Sequence, residues 1–467
     1  MKPVIGVIVG NRGFFPDHLV QEGRKEILEV LEKSGCEPVA LGIKDSKLGG
    51  VETLAEAKKC AELFKKNRER IDGIIVTLPN FGDERGVADT LRMADLDVPV
   101  LMQASPDDPK HMAASNRRDS FCGKISACNN LLQYGIPFSL TANHTVAVTS
   151  DEFKKEVDKF LSVCRVVKGI KNAKIGAIGA RPAAFNTCRY SEKILADHGV
   201  NVETIDLSEI FGRIEKLSDS DGDVTKKLKD LKEYIPAPNV TEKNLVKMAK
   251  LGVVFDNFIE ENELDATAVQ CWTSMEEYYG VVPCTMMSML SNSLHPSACE
   301  VDITGALSMY ALQLASQSPS ALLDWNNNFG DDPDKCILFH CSNLPKHFFD
   351  KAEMKFQAII AGSVGADNTQ GTVEGIIRPH PMTFARFSTY DTAGKLLCYV
   401  GEGSFTDDSL ESFGGLGAAH IPNLQDLLKF ICNHGFEHHV AVSLSRVAEI
   451  LHEAFTNYLG IDTYHHC

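Results

Sequence analysis

Asp72-Gly73-Ile74-Ile75-Val76-Thr77-Leu78-Pro79 is an almost unbroken apolar run, opened by a turn pair and closed by a proline. It reads as a buried strand ending in a loop. The chain on either side repeats the pattern. Val4–Val9 is another apolar strand, Val20–Lys33 carries apolar residues at helical spacing, Glu37–Leu41 is a second strand and Thr53–Asn67 a second helix. After a further helix, Val98–Met102 continues the series. Apolar strands separated by amphipathic helices predict a parallel, doubly wound α/β sheet, in which ligands sit at the carboxyl ends of the strands. Asn11, Arg12, Asn80 and Phe81 lie at such ends and are candidate binding residues.

Asp151–Val167 is an amphipathic helix leading to a second unit of the same kind, with a strand at Lys174–Gly179, the polar loop Ala180-Arg181-Pro182, a helix over Cys188–His198 and a strand over Val200–Ile205. Leu217–Asp230 is polar and reads as an exposed loop or helix. After Trp325 the character changes. Ile337–His340, Phe356–Ala361, Thr372–Arg378, Met382–Thr389 and Lys395–Glu402 are short strand candidates separated by Gly, Pro, Asp and Asn. They predict an antiparallel, barrel-like domain closed by a helix over Leu444–Tyr458. The expected layout is two parallel-sheet α/β domains, 1–150 and 151–325, followed by a β-rich barrel domain, 326–467.

Bulk properties narrow the classes. A chain of 467 residues exceeds one ordinary core. Its net charge, 47 − 63 = −16, argues against nucleic acid or an anionic membrane surface as partner. The N-terminal apolar run is short and reads as a strand, and no stretch is long enough to span a membrane. Fourteen irregularly spaced cysteines without a CxxC pair read as reduced, mostly buried residues of a cytoplasmic protein.

The richest stretch for chemistry is Ala298-Cys299-Glu300-Val301-Asp302-Ile303-Thr304-Gly305-Ala306-Leu307-Ser308. Its acids suit a helix N-terminus, where they complement the dipole. Asp324, in Leu322-Leu323-Asp324-Trp325, belongs to an apolar context in which a carboxylate is costly unless paired or metal-bound; a cap or turn acid is the plainer reading. His340 ends the run Cys336-Ile337-Leu338-Phe339, as a core residue or a ligand. His438-His439 precedes the strand-like Val440-Ala441-Val442, and alternation along a strand would turn only one of the two toward a site. The loop Asn116-Arg117-Arg118-Asp119-Ser120-Phe121-Cys122-Gly123-Lys124 is either a solvated surface or a binder of an anionic group. Gly176-Ala177-Ile178-Gly179 lacks the full dinucleotide fingerprint.

Glu300-Val301-Asp302 with Thr304-Gly305-Ala306-Leu307 resembles the glutamate motif of the L-fucose and L-arabinose isomerase family. Asp324 falls at the family's spacing for a second acidic ligand, 324 − 300 = 24 positions on. His439 matches its C-terminal metal histidine, His340 the extra histidine of the arabinose branch, and Val9-Gly10-Asn11-Arg12 the fucose-isomerase opening, whose arginine reaches a neighbouring subunit's substrate. The resemblance implies two α/β domains and a barrel, a homo-oligomer (a hexamer), and a ketol isomerase of carbohydrate metabolism. It implies Mn²⁺, or Mg²⁺ or Co²⁺, held by Glu300, Asp324, His439 and His340, with Glu300 and Asp324 also moving the proton through a cis-enediol. Arg12, Asn11, Phe81, Arg117, Ser120 and His438 become the substrate-binding candidates. The sugar stays open, with a 6-substituted, for example sulfonated, hexose among the options. The alternatives are a non-catalytic sugar-binding or regulatory protein and a metal hydrolase; no HExxH or HxH motif supports the latter.

Overall fold

The computed structural model describes residues 2–467. They form two compact units, one of residues up to Lys168 together with Glu453–Gly460, the other of Gly169–His452 with Ile461–Cys467.

The first unit is built on β1 (Val4–Val9), β2 (Glu37–Ala40), β3 (Gly73–Leu78), β4 (Val100–Ala104) and β5 (Ser139–Leu140), all parallel, in the order β2-β1-β3-β4-β5. Every residue of β1, β3 and β4 is buried, because helices cover both faces. Side-chain alternation divides the strands between two cores: Ile8, Ile74, Val76 and Met102 face one, Ile5, Val7, Ile75 and Leu101 the other. The helix Leu54–Lys66 opens on a capping box between Thr53 and Glu56. Gly123, in the helix Ser120–Gln133, sits where a Cβ would come within 1.5 Å of the Phe81 carbonyl oxygen, so only glycine lets the loop after β3 lie against that helix.

The second unit contains two sheets. A parallel sheet has β6 (Lys174–Ile178), β7 (Asn201–Ile205), β8 (Ala266–Val269) and β9 (Ser297–Cys299) in the order β7-β6-β8-β9. The other is a nine-stranded mixed sheet of β10 (Ser320–Asn328), β11 (Lys335–His340), β12 (Phe349–Phe356), β13 (Gln370–Ile377), β14 (His380–Tyr390), β15 (Lys395–Phe405), β16 (Gly415–His420), β17 (His439–Ser443) and β18 (Asp462–His466). Pairing of β15 with β16 closes the antiparallel ring β16-β11-β10-β17-β14-β15. The ring matches the barrel expectation, whereas β13 and β18 join it in parallel, which departs from an all-antiparallel barrel. The helix Ile303–Ser316 is buried along most of its length, against β8 and β9 and against β10, β14 and β17 of the ring, which explains its nearly uniform apolar sequence.

Several local expectations are corrected. Phe356–Ala361 is not a strand: β12 ends at Phe356, and Gln357 caps a helix over Ala358–Val364 by accepting from the Ile360 N–H. The helix expected over Leu444–Tyr458 starts at Ala448 and loosens to π geometry over Ala454–Tyr458. The helix expected over Cys188–His198 is only Glu192–Asp197, preceded by a single turn at Asn186–Cys188. Of the two options for Leu217–Asp230, loop or helix, the helix holds from Gly222 and runs past the segment to Tyr234. Asp324 is neither cap nor turn residue; it lies inside β10, whose outer half, with Asn326-Asn327-Asn328, is unusually polar for a strand.

Candidate metal centre

Three neighbouring ring strands deliver the centre. In the ladder, Asp324 of β10 stands opposite His439 of β17 on one side and Phe339 of β11 on the other, with His340 next in line. Glu300 comes from the parallel sheet, immediately after β9, where both Glu300 and Val301 have φ of 54°. Left-handed backbone is unfavourable for non-glycine residues, above all a β-branched one, and costs on the order of 1–3 kcal/mol per residue. Here it turns the Glu300 carboxylate inward just before Asp302 caps the buried helix by accepting from the Gly305 N–H at 2.8 Å.

Glu300 Oε2 lies 3.5 Å from His439 Nε2 and 3.8 Å from His340 Nε2, and Asp324 Oδ1 lies 3.4 Å from His439 Nε2 and 3.7 Å from His438 Nε2. Glu300 Oε2 and Asp324 Oδ1 are both buried and without a hydrogen-bond partner. Two orphaned carboxylate oxygens around one imidazole nitrogen are costly unless a cation joins them. The potential ligand atoms of Glu300, His340 and His439 lie within 4.8 Å of one another, as do those of Asp324, His438 and His439. Glu300, His340 and His439 are enclosed, whereas Asp324 and His438 are part-exposed and mark the open side.

A charged layer behind the centre fixes His439. Its Nδ1 bonds Asp302 Oδ2 at 2.7 Å, which directs Nε2 to the centre. Asp302 in turn accepts from Arg386 Nη1 at 2.6 Å and Nη2 at 3.0 Å, a bidentate pair. Arg386 Nε donates to Glu437 Oε2 at 3.1 Å, and Ser388 Oγ donates to Glu437 Oε1 at 2.9 Å. Burial alone would raise the Asp302 carboxyl, but the Arg386 guanidinium and the His439 hydrogen bond hold it far below the usual carboxylate range. Burial acts the same way on Glu300, where His340 and His439 outweigh it and leave the group lowered. Burial lowers His439, and Asp302, Glu300 and Asp324 together raise it.

Thiols line the same space. Cys271 donates its S–H to Glu300 Oε1 at 3.4 Å, leaving Oε2 free, and Cys188 Sγ lies 3.6 Å from His439 Nδ1. Burial pushes the Cys271 thiol up to about 12, so it stays a neutral donor at physiological pH. The charged ligand set is therefore carboxylate oxygen plus imidazole, the donor types of a hard or borderline divalent cation. These residues fit a divalent ion.

The structure thus gathers Glu300, Asp324, His340, His438 and His439 in the second unit. His438 precedes the first residue of β17, so strand alternation does not turn it away from Asp324. Asn11, Arg12 and Phe81 meet in the first unit: Asn80 Nδ2 donates to Asn11 Oδ1 at 2.8 Å, Asn11 Nδ2 donates to Glu52 Oε2 at 2.7 Å, and the Arg12 guanidinium covers the Phe81 ring and pairs with Glu84. Arg117 is exposed and held by Asp119 at 2.8 Å. Ser120 starts the helix Ser120–Gln133 with a buried, unpartnered hydroxyl. Lys124 Nζ is buried and donates to Thr141 Oγ1 at 2.8 Å. Sequence reasoning missed Arg386 and Glu437. The available signal was an arginine inside the apolar strand Phe384-Ala385-Arg386-Phe387, which demands buried acids.

Residues 6–171 match the family description "Fucose/sulfoquinovose isomerase, N-terminal domain", and residues 338–466 match "L-fucose isomerase, C-terminal domain". The chain is 25% identical over 228 residues to the sulfoquinovose isomerase of Priestia aryabhattai, covering 48% of this chain and 50% of that protein. It is 27% identical over 198 residues to the sulfoquinovose isomerase of Clostridium sp. (strain MSTE9), covering 42% and 43%. For the one from Alkalicoccus urumqiensis the identity is 25% over 189 residues, covering 40% and 42%. The matched region spans half or less of the length of these curated relatives. Carrying both terminal domain types in order, the chain belongs to the fucose isomerase-like family.

Proposed function

We propose that this chain is a metal-dependent aldose–ketose isomerase acting on a hexose with an anionic, sulfonated sixth carbon. The reading rests above all on the two unpartnered buried oxygens, Glu300 Oε2 and Asp324 Oδ1, facing His439 Nε2. The names of the relatives support the sulfonated substrate.

Glu300, Asp324 and His439, with His340 as a further ligand, would hold a divalent ion, Mn²⁺ or alternatively Mg²⁺ or Co²⁺. Bound there, the ion supplies Lewis acidity to the two adjacent sugar oxygens and acidifies the neighbouring C–H. The proton work belongs to the carboxylates. One takes the proton from C2 of the open-chain aldose while O1 gains a proton, giving the cis-enediol. The same proton, or one from the partner carboxylate, then goes to C1 while the O2 hydroxyl gives up its proton, so that one hydrogen has moved from C2 to C1 and one from O2 to O1. Asp302 keeps the His439 ring oriented, and Arg386 keeps Asp302 ionised. Asp324 and His438, on the open side, would meet the incoming sugar, and the enclosed Glu300 would face it from below.

The remaining parts of the reading are a cytoplasmic homo-oligomer, a hexamer by family resemblance, with Arg12, Asn11, Phe81, Arg117 and Ser120 as sugar-binding residues. Fourteen free cysteines support a reducing compartment. Among the described residues no helix is long and apolar enough to cross a membrane.

The test is a metal-stripped and Mn²⁺-restored assay on sulfonated and neutral aldoses, followed by NMR in D₂O. Ketose formation that returns with Mn²⁺, with deuterium at C1 or C2, is the expected result. Tight sugar binding without turnover would replace the isomerase with a sugar-binding protein.

A further inference from the structure

The loop after β6, from Gly179 to Tyr190, is tied at its start to residues 270–274 after β8, and further along, through Phe185 and Cys188, to His438 and His439 of the metal centre. At its start, the Ala180 N–H donates to Gln270 Oε1 at 2.7 Å, and Gln270 Nε2 reaches the Trp272 carbonyl and Ser274 Oγ, each at 3.3 Å. Gly179, at φ 83°, passes so close to Gln270 that a Cβ would meet its side chain at 2.5 Å. Further along, the Phe185 ring packs edge-on against Trp272 at 5.4 Å and lies 6.0 Å from the His438 ring. Cys188 then reaches His439. The loop also leaves the carboxyl end of a parallel strand, where α/β sheets bind ligands.

Arg181 occupies the stretch between the first two anchors. It is half-buried, and its guanidinium has one hydrogen bond, from Nη1 to the Pro182 carbonyl at 2.8 Å. Among the described residues it forms no ion pair, although the chain carries a net charge of −16. Nε and Nη2 remain as donors, enough for a bidentate grip on a tetrahedral oxyanion. The basic residues of the loop 116–124 differ. Arg117 is neutralised by Asp119, and Lys124 Nζ is buried against the Thr141 hydroxyl and the His144 carbonyl. Arg189 offers an internal control. It follows the single turn that ends at Cys188, its Nε donates to the Asn186 carbonyl at 2.9 Å, and it is exposed.

We infer that Arg181 is the anion-recognition residue of the site, binding a sulfonate or phosphate on the sugar's sixth carbon. This inference rests on the isomerase reading above for its reaction, and on the loop contacts for its geometry. A neutral hexose lacks the anion and would leave the guanidinium as it is, so Arg181 separates charged from neutral sugars.

The experiment compares wild type, Arg181→Met and Arg189→Met, all Mn²⁺-loaded, on a hexose 6-sulfonate, the matching neutral hexose and the 6-phosphate. For the sulfonate, Arg181→Met should lower kcat/KM on the order of a hundredfold, mostly through KM, and for the neutral sugar at most a few-fold. Arg189→Met should change neither. Phosphate turnover lost in parallel identifies a general oxyanion site; turnover of the sulfonate alone identifies a sulfonate site. Equal losses on charged and neutral sugars, or none on either, overturn the assignment. Calorimetric binding of the sulfonated hexose separates this from the isomerase reading, because it needs no turnover. An inert wild type whose sulfonate binding disappears in Arg181→Met refutes the isomerase and keeps the anion site. Binding that is absent from wild type, or intact in Arg181→Met, removes the anion site itself.

Discussion

The polar cluster at the carboxyl ends of β1 and β3 and the cluster around Glu300 contain similar residue types in opposite electrostatic states. In the first unit the cluster is largely closed on itself: Asn11 bonds Glu52 and Asn80, and Arg12 pairs with Glu84 while covering Phe81. In the second unit Arg386, Asp302 and Glu437 are equally well matched, yet directly in front of them Glu300 Oε2 and Asp324 Oδ1 have no partner. Paired charges hold a surface in place, whereas two unpartnered carboxylate oxygens converging on one imidazole nitrogen support the proposed cation site.

Replacing one of those oxygens should break the contrast most severely. Glu300→Gln or Asp324→Asn is expected to lower kcat by about 10⁴-fold or more with circular dichroism unchanged, since a proton carrier and a ligand are lost together. Near-normal turnover in either variant would remove it from the proton path. Next in size is the layer behind. Arg386→Leu strands two buried carboxylates and should cost about 3–5 kcal/mol, read as a lower urea midpoint. An unchanged midpoint would mean that Asp302 and Glu437 do not depend on Arg386. Asp302→Asn keeps the shape but weakens the hold on His439, and Mn²⁺ affinity should fall about 10–100-fold by calorimetry.

A smaller effect is expected at Glu276, a buried acid of the second unit. Both its carboxylate oxygens are unpartnered, and burial pushes it up to about 7. A carboxyl raised in the folded state stays protonated between the unfolded pKa of about 4.5 and 7 while the unfolded chain loses its proton, so stability falls as pH rises through that window. Glu276→Gln should therefore stabilise the fold by on the order of 2 kcal/mol above pH 7 and hardly at all near pH 4.5. Thermal melts at the two ends of the range check this, and equal effects at both would assign the change to packing. Smallest of all, Arg12→Ala removes a part-exposed ion pair and should cost at most about 1 kcal/mol of stability, the closed cluster being a surface rather than a keystone.

Legibility in the sequence depends on range. The parallel sheet of the first unit follows from local periodicity, because strands such as β3 are apolar throughout and bounded by turn residues. Glu300, Asp324 and His439 stand out only through the resemblance to the fucose and arabinose isomerases; taken alone, each also suits a cap, turn or surface position. Their convergence is not legible in the sequence, because it depends on β10 lying between β11 and β17. The polar tail of β10 hides that strand and makes Asp324 look like a turn acid at a domain edge. Phe356–Ala361 is apolar enough for either helix or strand, and a single cap at Gln357 decides the matter. The Asp302–Arg386–Glu437 network joins residues 84 and 51 positions apart, beyond any window of local pattern.

The most direct test of the centre is calorimetric titration of the metal-stripped protein with Mn²⁺, wild type against the Glu300→Gln, Asp324→Asn double variant. The account predicts saturable binding of a single tight ion by wild type, with a raised melting temperature, and loss of both in the double variant. Tight Mn²⁺ binding that survives in the double variant would contradict it, because the ion would then sit elsewhere.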